Sequence, residues 1–118
     1  MPELVEIRLN RAERRLEVCF DNGARFELSA EYLRVESPSA EVQGHSPDQK
    51  QTVAGKRLVG ITGLEPVGNY AVRLRFDDGH DTGIFSWQYL HELGREQGVR
   101  WSAYEAALQA KGLRRDPA

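Results

Sequence analysis

Residues Asp77-Asp78-Gly79-His80 put two carboxylates and an imidazole into one short run. Those groups could do general acid–base chemistry, or hold a metal ion if further nitrogen or sulfur ligands joined them. The same residue types are also turn formers, and adjacent aspartates in a turn point in different directions. His80 is therefore read first as a turn histidine bonded to a neighbouring loop, with a metal ligand or a partner contact as alternatives. On that reading His80→Ala costs no more than one turn hydrogen bond. Asp78, Trp87 and Tyr89 join His80 as candidate partner or ligand contacts. Trp87 and Tyr89 diverge around a helix, so one belongs in the core and the other is available as an anchor. His45, in a polar stretch, offers a second and distant imidazole. No residue is assigned a catalytic role.

The elements that must position these groups form a degenerate repeat. LEVCFDNGARFELSAEYL, from Leu16, matches VRLRFDDGHDTGIFSWQYL, from Val72. In each copy an alternating strand ends in Phe-Asp-x-Gly, and a second short run leads to Ser-x-x-Tyr-Leu. Asn22-Gly23 and Asp78-Gly79 predict two hairpins, with positive φ at both central turn positions. Ser29 and Ser86 are expected to cap a helix each, stapled by Leu28 with Leu33 and by Phe85 with Leu90.

Leu4 to Asn10 reads as a first strand with Val5, Ile7 and Leu9 on one face. Lys56 to Leu64 reads as a further strand, Pro66 to Asn69 as a turn, and Tyr70 to Phe76 as a strand burying Tyr70, Val72, Leu74 and Phe76. Arg73 and Arg75 fall on the opposite face, in a solvated basic stripe with Arg25, and Cys19 lies opposite Val18 and Phe20 without a signal for reactivity. Ser102-x-x-Glu105 reads as a capping box opening a C-terminal helix that buries Trp101, Tyr104 and Leu108. Glu36 to Gly55 has almost no apolar content and is expected to be a mobile surface loop or a partner-binding loop. The fold class is thus α+β: antiparallel hairpins each followed by a short helix, plus a C-terminal helix. One domain over residues 1–113 is expected, with 114–118 a disordered tail.

With 118 residues, 40% hydrophobic and 29% charged, the chain has the make-up of a globular domain. Its 16 basic and 18 acidic residues give a net charge of -2, which argues against nucleic acid or a membrane surface as partner. The N-terminus lacks the apolar core of a signal peptide, and the single Cys19 supplies neither a disulfide nor a thiolate cluster. A cytoplasmic protein is expected. Phosphate-binding glycine loops, Cys-x-x-Cys and nucleophile elbows are absent from the sequence.

The run LRVESPSAEVQGH, followed by GKRLVGITGLEPVGNYAVRLRFDDGHDTGIFSWQYLHELG, resembles the small N-terminal domain of gamma-butyrobetaine hydroxylase. It resembles still more closely the stand-alone bacterial members of that family, a domain of unknown function. The most specific residues are Tyr70, Asp78-Gly79-His80, Trp87, Tyr89 and Leu90. In the hydroxylases the domain precedes an iron- and 2-oxoglutarate-dependent catalytic domain. The resemblance implies a structural zinc held by three cysteines and the histidine of Asp-Gly-His. Here the cysteine positions carry Ser37, Ser39 and Val42, and His80 alone matches. Zinc is thus not expected, nor any other cofactor. The dioxygenase facial triad belongs to a barrel domain that this chain lacks, so catalysis is not inherited from the family name. Related domains attached to P-loop ATPases of iron–sulfur cluster delivery imply a protein partner of that kind, an ATPase or a scaffold. The two leading expectations are a non-catalytic binding or adaptor domain, linked to metal or iron–sulfur metabolism, and an accessory subunit of an oxidoreductase supplied in trans. A small enzyme of unknown chemistry and a homodimer are left open.

Overall fold

The computed structural model describes residues 2–117. Its organising unit is larger than a hairpin plus helix. Strands β1 (Leu4–Asn10), β2 (Arg15–Phe20) and β3 (Arg25–Ser29) form an antiparallel sheet in that order and run into helix α1 (Ala30–Val35). Strands β4 (Ile61–Val67), β5 (Ala71–Phe76) and β6 (Gly83–Ser86) repeat the arrangement and run into α3 (Trp87–Arg95). Between the units lie α2 (Ala40–Gln43) and a short 3-10 turn; α4 (Gln97–Ala110) follows the second unit.

The correspondence extends to single backbone bonds. Asp21 N–H donates to the Glu3 carbonyl, and Asp77 N–H to that of Gly60, each at 2.9 Å. Ala30 N–H reaches Arg14 O at 2.8 Å, as Trp87 N–H reaches Tyr70 O at 2.9 Å. Register shifts interrupt both first strands, between Leu4 and Glu6 and between Ile61 and Gly63. Ser29 and Ser86 end their strands and accept from Tyr32 N–H and Tyr89 N–H, both at 3.0 Å, so the two caps stand where the sequence put them. Tyr32 OH then donates to Leu93 O in the other unit at 2.7 Å, while Tyr89 OH donates to Glu36 O at 2.6 Å. Each unit therefore completes a helix end of the other.

One core serves both. Leu16, Val18, Phe20, Leu28 and Leu33 of the first unit pack with Val72, Leu74, Phe76, Phe85 and Leu90 of the second. Helix α3 approaches β3 closely because Gly94 has no side chain: a Cβ there would stand 2.2 Å from the Phe26 ring. A smaller cluster of Val35, Tyr104 and Leu108 seats α4, with Trp101 packed against both clusters.

The hairpins occur as expected, but with a different turn. Phe20 N–H donates to Ala24 O at 2.9 Å and Phe76 N–H to His80 O at 3.0 Å, which encloses three loop residues rather than two. Only the glycines, Gly23 (φ 87°) and Gly79 (φ 91°), have positive φ. Asn22 and Asp78 keep negative φ because their side chains accept the N–H two residues on, at 3.0 and 3.1 Å.

Other differences have local causes. Val5 is 66% exposed, because the register shift beside it turns Leu4, Ile7 and Leu9 inward instead. The fourth strand starts at Ile61, not Lys56, and contains Pro66, which an edge strand tolerates. Tyr70 belongs to the turn before β5 and is 60% exposed. Helix α4 begins at Gln97, directly after the Glu96 that ends α3, so Ser102 lies inside it and caps nothing. The polar stretch after Glu36 is anchored: Ser37 and Val42 are buried, and Val53 and Ala54 pack on the cluster beneath α4. The segment expected to fray is tied as well, with Arg114 O accepting from Gly55 N–H at 2.8 Å and Arg115 O from Arg57 N–H at 2.9 Å.

Candidate functional site

The second hairpin tip is a closed polar corner. Its floor is Phe76 and its wall is α2, whose N-cap Ser39 lies two residues after Ser37. His80 is 5% exposed and both ring nitrogens are engaged. Nε2 lies 2.8 Å from Ser37 Oγ, and Nδ1 lies 2.9 Å from a carboxylate oxygen of Glu41. The carboxylate can only accept, so Nδ1 carries a proton. Ser37 Oγ also accepts from Ser39 N–H at 3.3 Å, so the imidazole and a main-chain donor share one buried hydroxyl. Gly83 makes the approach possible, since a Cβ on it would stand 2.5 Å from Ser37 Oγ.

Serine, histidine and carboxylate in this order reproduce the connectivity of a hydrolytic triad. A nucleophile must also meet its substrate, and Ser37 is 0% exposed. Glu41, the orienting acid, is the group that faces water, with its side chain 61% exposed. The arrangement is inside out for acyl transfer and serves to pin α2 over the hairpin.

Asp78 completes the corner from the other side. It accepts His80 N–H at 3.1 Å, Arg34 Nε at 2.8 Å and Lys56 Nζ at 2.6 Å. Burial opposes its charge, but the Lys56 ammonium, the His80 N–H and the Arg34 guanidinium outweigh burial and hold the carboxyl at about 2. Asp77 is exposed in the turn and does not share this cluster.

The residues that the resemblance assigns to zinc fail the fit. Ser37 and Ser39 are buried near His80, but the Ser39 hydroxyl bonds Thr82 Oγ1 at 2.6 Å, and Val42 is a buried apolar side chain. Two neutral hydroxyls already bonded to protein and an isopropyl group do not replace three thiolates on Zn²⁺. Among the described residues no group of three or more His, Cys, Asp or Glu is placed to share a metal ion.

The remaining candidates disperse. Trp87 is half-buried and donates its indole N–H to Asn69 O at 2.9 Å. Tyr89 is half-buried too, and both rings pack against the main core, so neither is the exposed anchor expected of the pair; Tyr89 lies under the Arg100 guanidinium, and burial pushes its phenol up to about 12. His45 is exposed beyond α2, with its backbone N–H on Gln49. Arg73 and Arg75 share Glu65 at 2.9 Å each, on a different sheet from Arg25, so the expected basic stripe does not exist. Cys19 is half-buried, with Sγ 4.0 Å from a Glu6 oxygen.

Sequence reasoning missed the partners Glu41, Arg34 and Lys56. The repeat held a signal for one of them. Asn22 in the first hairpin matches Asp78 in the second, and it meets His91 of α3 at 3.3 Å, as Asp78 meets Arg34 of α1. Tip-to-helix pairs recur across the two units.

The sequence matches the family described as gamma-butyrobetaine hydroxylase-like, N-terminal, over residues 7–91. The chain belongs to that family. No curated protein matches it significantly. Among solved structures, this family member is similar to one determined by NMR in solution at 44% identity and TM-score 0.85, covering 100% of this chain and 93% of that one. A second solution structure matches at 49% identity and TM-score 0.84, covering 99% of this chain and 87% of the other. The crystal structure of a DUF971 family protein of unknown function from Acidithiobacillus ferrooxidans ATCC 23270 is 42% identical, with TM-score 0.66, covering 78% of this chain and 92% of that one. The matched region of this gamma-butyrobetaine hydroxylase-like domain runs from within β1 to within α3 and contains the closed corner; α4 lies outside it.

Proposed function

We propose that this chain is a binding or adaptor domain without catalytic chemistry of its own. The observation that supports this reading is the self-sufficiency of the Asp78-Gly79-His80 corner. Its imidazole, its carboxylate and the two serines beside them are bonded to protein groups, and the one hydroxyl an imidazole could activate is out of reach of any substrate. A domain whose ionisable groups are spent on its own fold acts through its surface. The family resemblance gives the direction: a role beside a P-loop ATPase or scaffold in metal or iron–sulfur metabolism, in the cytoplasm.

A second reading has support in the description of the matched family, which is that of an N-terminal part of a hydroxylase. On it, the chain is an accessory subunit supplied in trans to an iron- and 2-oxoglutarate-dependent oxidoreductase. Cross-linked affinity capture from the native cell separates the two. An ATPase or scaffold partner supports the adaptor, a dioxygenase subunit supports the alternative, and a chain that captures neither refutes both.

A further inference from the structure

We infer that the outer edge of β1 is an interface between two copies of this chain, which join antiparallel about Ile7 to merge their first sheets into one. The inference goes beyond the adaptor reading and does not depend on it.

Both first strands, β1 and β4, stand at the edge of a sheet, and they are not protected alike. Phe20 N–H donates to Ala24 O, so Phe20, Val18 and Leu16 turn their main-chain groups toward β3, and Cys19, Glu17 and Arg15 toward β1. Their partners Glu6, Arg8 and Asn10 face β2 in return, which leaves the N–H and C=O groups of Ile7 and Leu9 pointing away from the sheet. No other segment of the described chain bonds them. In the second unit, the same count from the register shift places Gly63 where Glu6 stands, Glu65 for Arg8 and Pro66 for Leu9. Proline at that outward position removes the donor that a further strand would need. One edge is closed by Pro66, and its counterpart is open at Leu9.

The residues of the open edge select its occupant. Glu6 and Arg8 lie on the solvent face, with side chains 51% and 65% exposed, and their only ion pair is with each other at 3.4 Å. In the second unit Glu65 is already held by Arg73 and Arg75 at 2.9 Å each. A second copy of β1, laid antiparallel with Ile7 opposite Ile7, puts each Glu6 against Arg8 of the other copy. Those are non-hydrogen-bonded positions, where side chains approach most closely, while the two Ile7 residues exchange N–H···O bonds. Moving the dyad to Arg8 would set like charges opposite each other. Ile7 and Leu9 are half-buried at the sheet margin, and Val5, 66% exposed, comes beside Leu9 of the other copy. An edge pairing of this length buries less than a permanent dimer interface, so the association is weak and reversible.

Sedimentation equilibrium of the purified chain over a wide range of concentration reads the association, and amide exchange at Ile7 and Leu9 locates it. Wild type should pass from monomer to dimer as concentration rises, with slower exchange at those two amides. Glu6→Arg and Arg8→Glu should each weaken self-association about tenfold or more. A mixture of the two single variants should associate, because each supplies the charge the other lacks, and the variant carrying both changes should regain wild-type association. Leu9→Pro should copy the closed edge of the second unit and abolish the dimer. Melting curves check that each variant folds; the charge variants alter only exposed side chains and decide the matter should Leu9→Pro fail to fold. A chain that stays monomeric at every concentration overturns the inference. So does a dimer indifferent to charge reversal, and so does an edge whose amides are protected only when another protein from the native cell is added.

Discussion

Replacing His80 by alanine tests the closed corner most directly. Read as a turn residue, His80 is dispensable; its burial and its two bonded nitrogens say otherwise. The two ends of the ring contribute unequally. The Glu41 carboxylate is mostly solvated, so its bond to Nδ1 is worth at most about 1 kcal/mol. Ser37 is wholly buried, so removing its partner strands a hydroxyl at a cost of about 1–3 kcal/mol. Loss of ring packing on Phe76 adds to this, for a total of roughly 2–4 kcal/mol. For a chain of this size that is a fall in Tm of the order of 10 °C. Urea denaturation and calorimetry of His80→Ala measure it, and a cycle with Ser37→Ala isolates the coupling. The double variant should be less destabilised than the sum of the singles, because neither buried partner is then left alone. A loss below about 0.5 kcal/mol for His80→Ala, or full additivity in the cycle, would refute the assignment.

Other consequences can be measured on the same protein. Asp78, held at about 2 from an ordinary 3.8, contributes stability that is full above the ordinary value and is lost as pH falls through about 2; solvent screening limits it to about 1 kcal/mol. Asp78→Asn should flatten the acid limb of the stability curve between those values, and an unchanged limb counts against the Lys56 and Arg34 pairing. Gly94→Ala should cost about 1–3 kcal/mol by driving a methyl into the Phe26 ring, and the companion Phe26→Leu should recover part of that loss. Protein purified without a histidine tag should lose any zinc on dialysis against a chelator, whereas near one zinc per chain after dialysis would show a ligand set that includes His80 by another route.

The hairpins and caps were legible because their causes are local. Asx turns, a left-handed glycine and a serine cap depend on neighbours in sequence, and Asp21 to Gly23, Asp77 to Gly79, Ser29 and Ser86 obey them. What the sequence hid lies at long range. Polar content made residues 36–55 look unanchored, yet Ser37 and Glu41 are held by a histidine some forty positions away, and Val42 is enough to bury α2. The tail looked expendable because Arg115 carries no mark of the buried Glu31 it satisfies. Ser102-x-x-Glu105 misled for a related reason. A capping motif is informative only where a helix begins, and Trp101 and Tyr104 draw the helix past it.

The reciprocal bonds of Tyr32 to Leu93 and of Tyr89 to Glu36 are what an isologous dimer interface looks like, with i meeting j and j meeting i, but closed within a single chain. In a true dimer the two interfaces are bound to be identical, and any substitution is made twice. Covalent linkage lifts that constraint. One tip could keep a neutral Asn22 against His91 while the other acquired Asp78, Arg34 and an inserted α2. Tight packing was shared out differently as well: β3 carries Phe26 over Gly94, whereas β6 carries Gly83 beneath Ser37. A fused pair of such units can thus let one specialise while its twin preserves the fold, and the two halves of this chain differ in that manner around a common core.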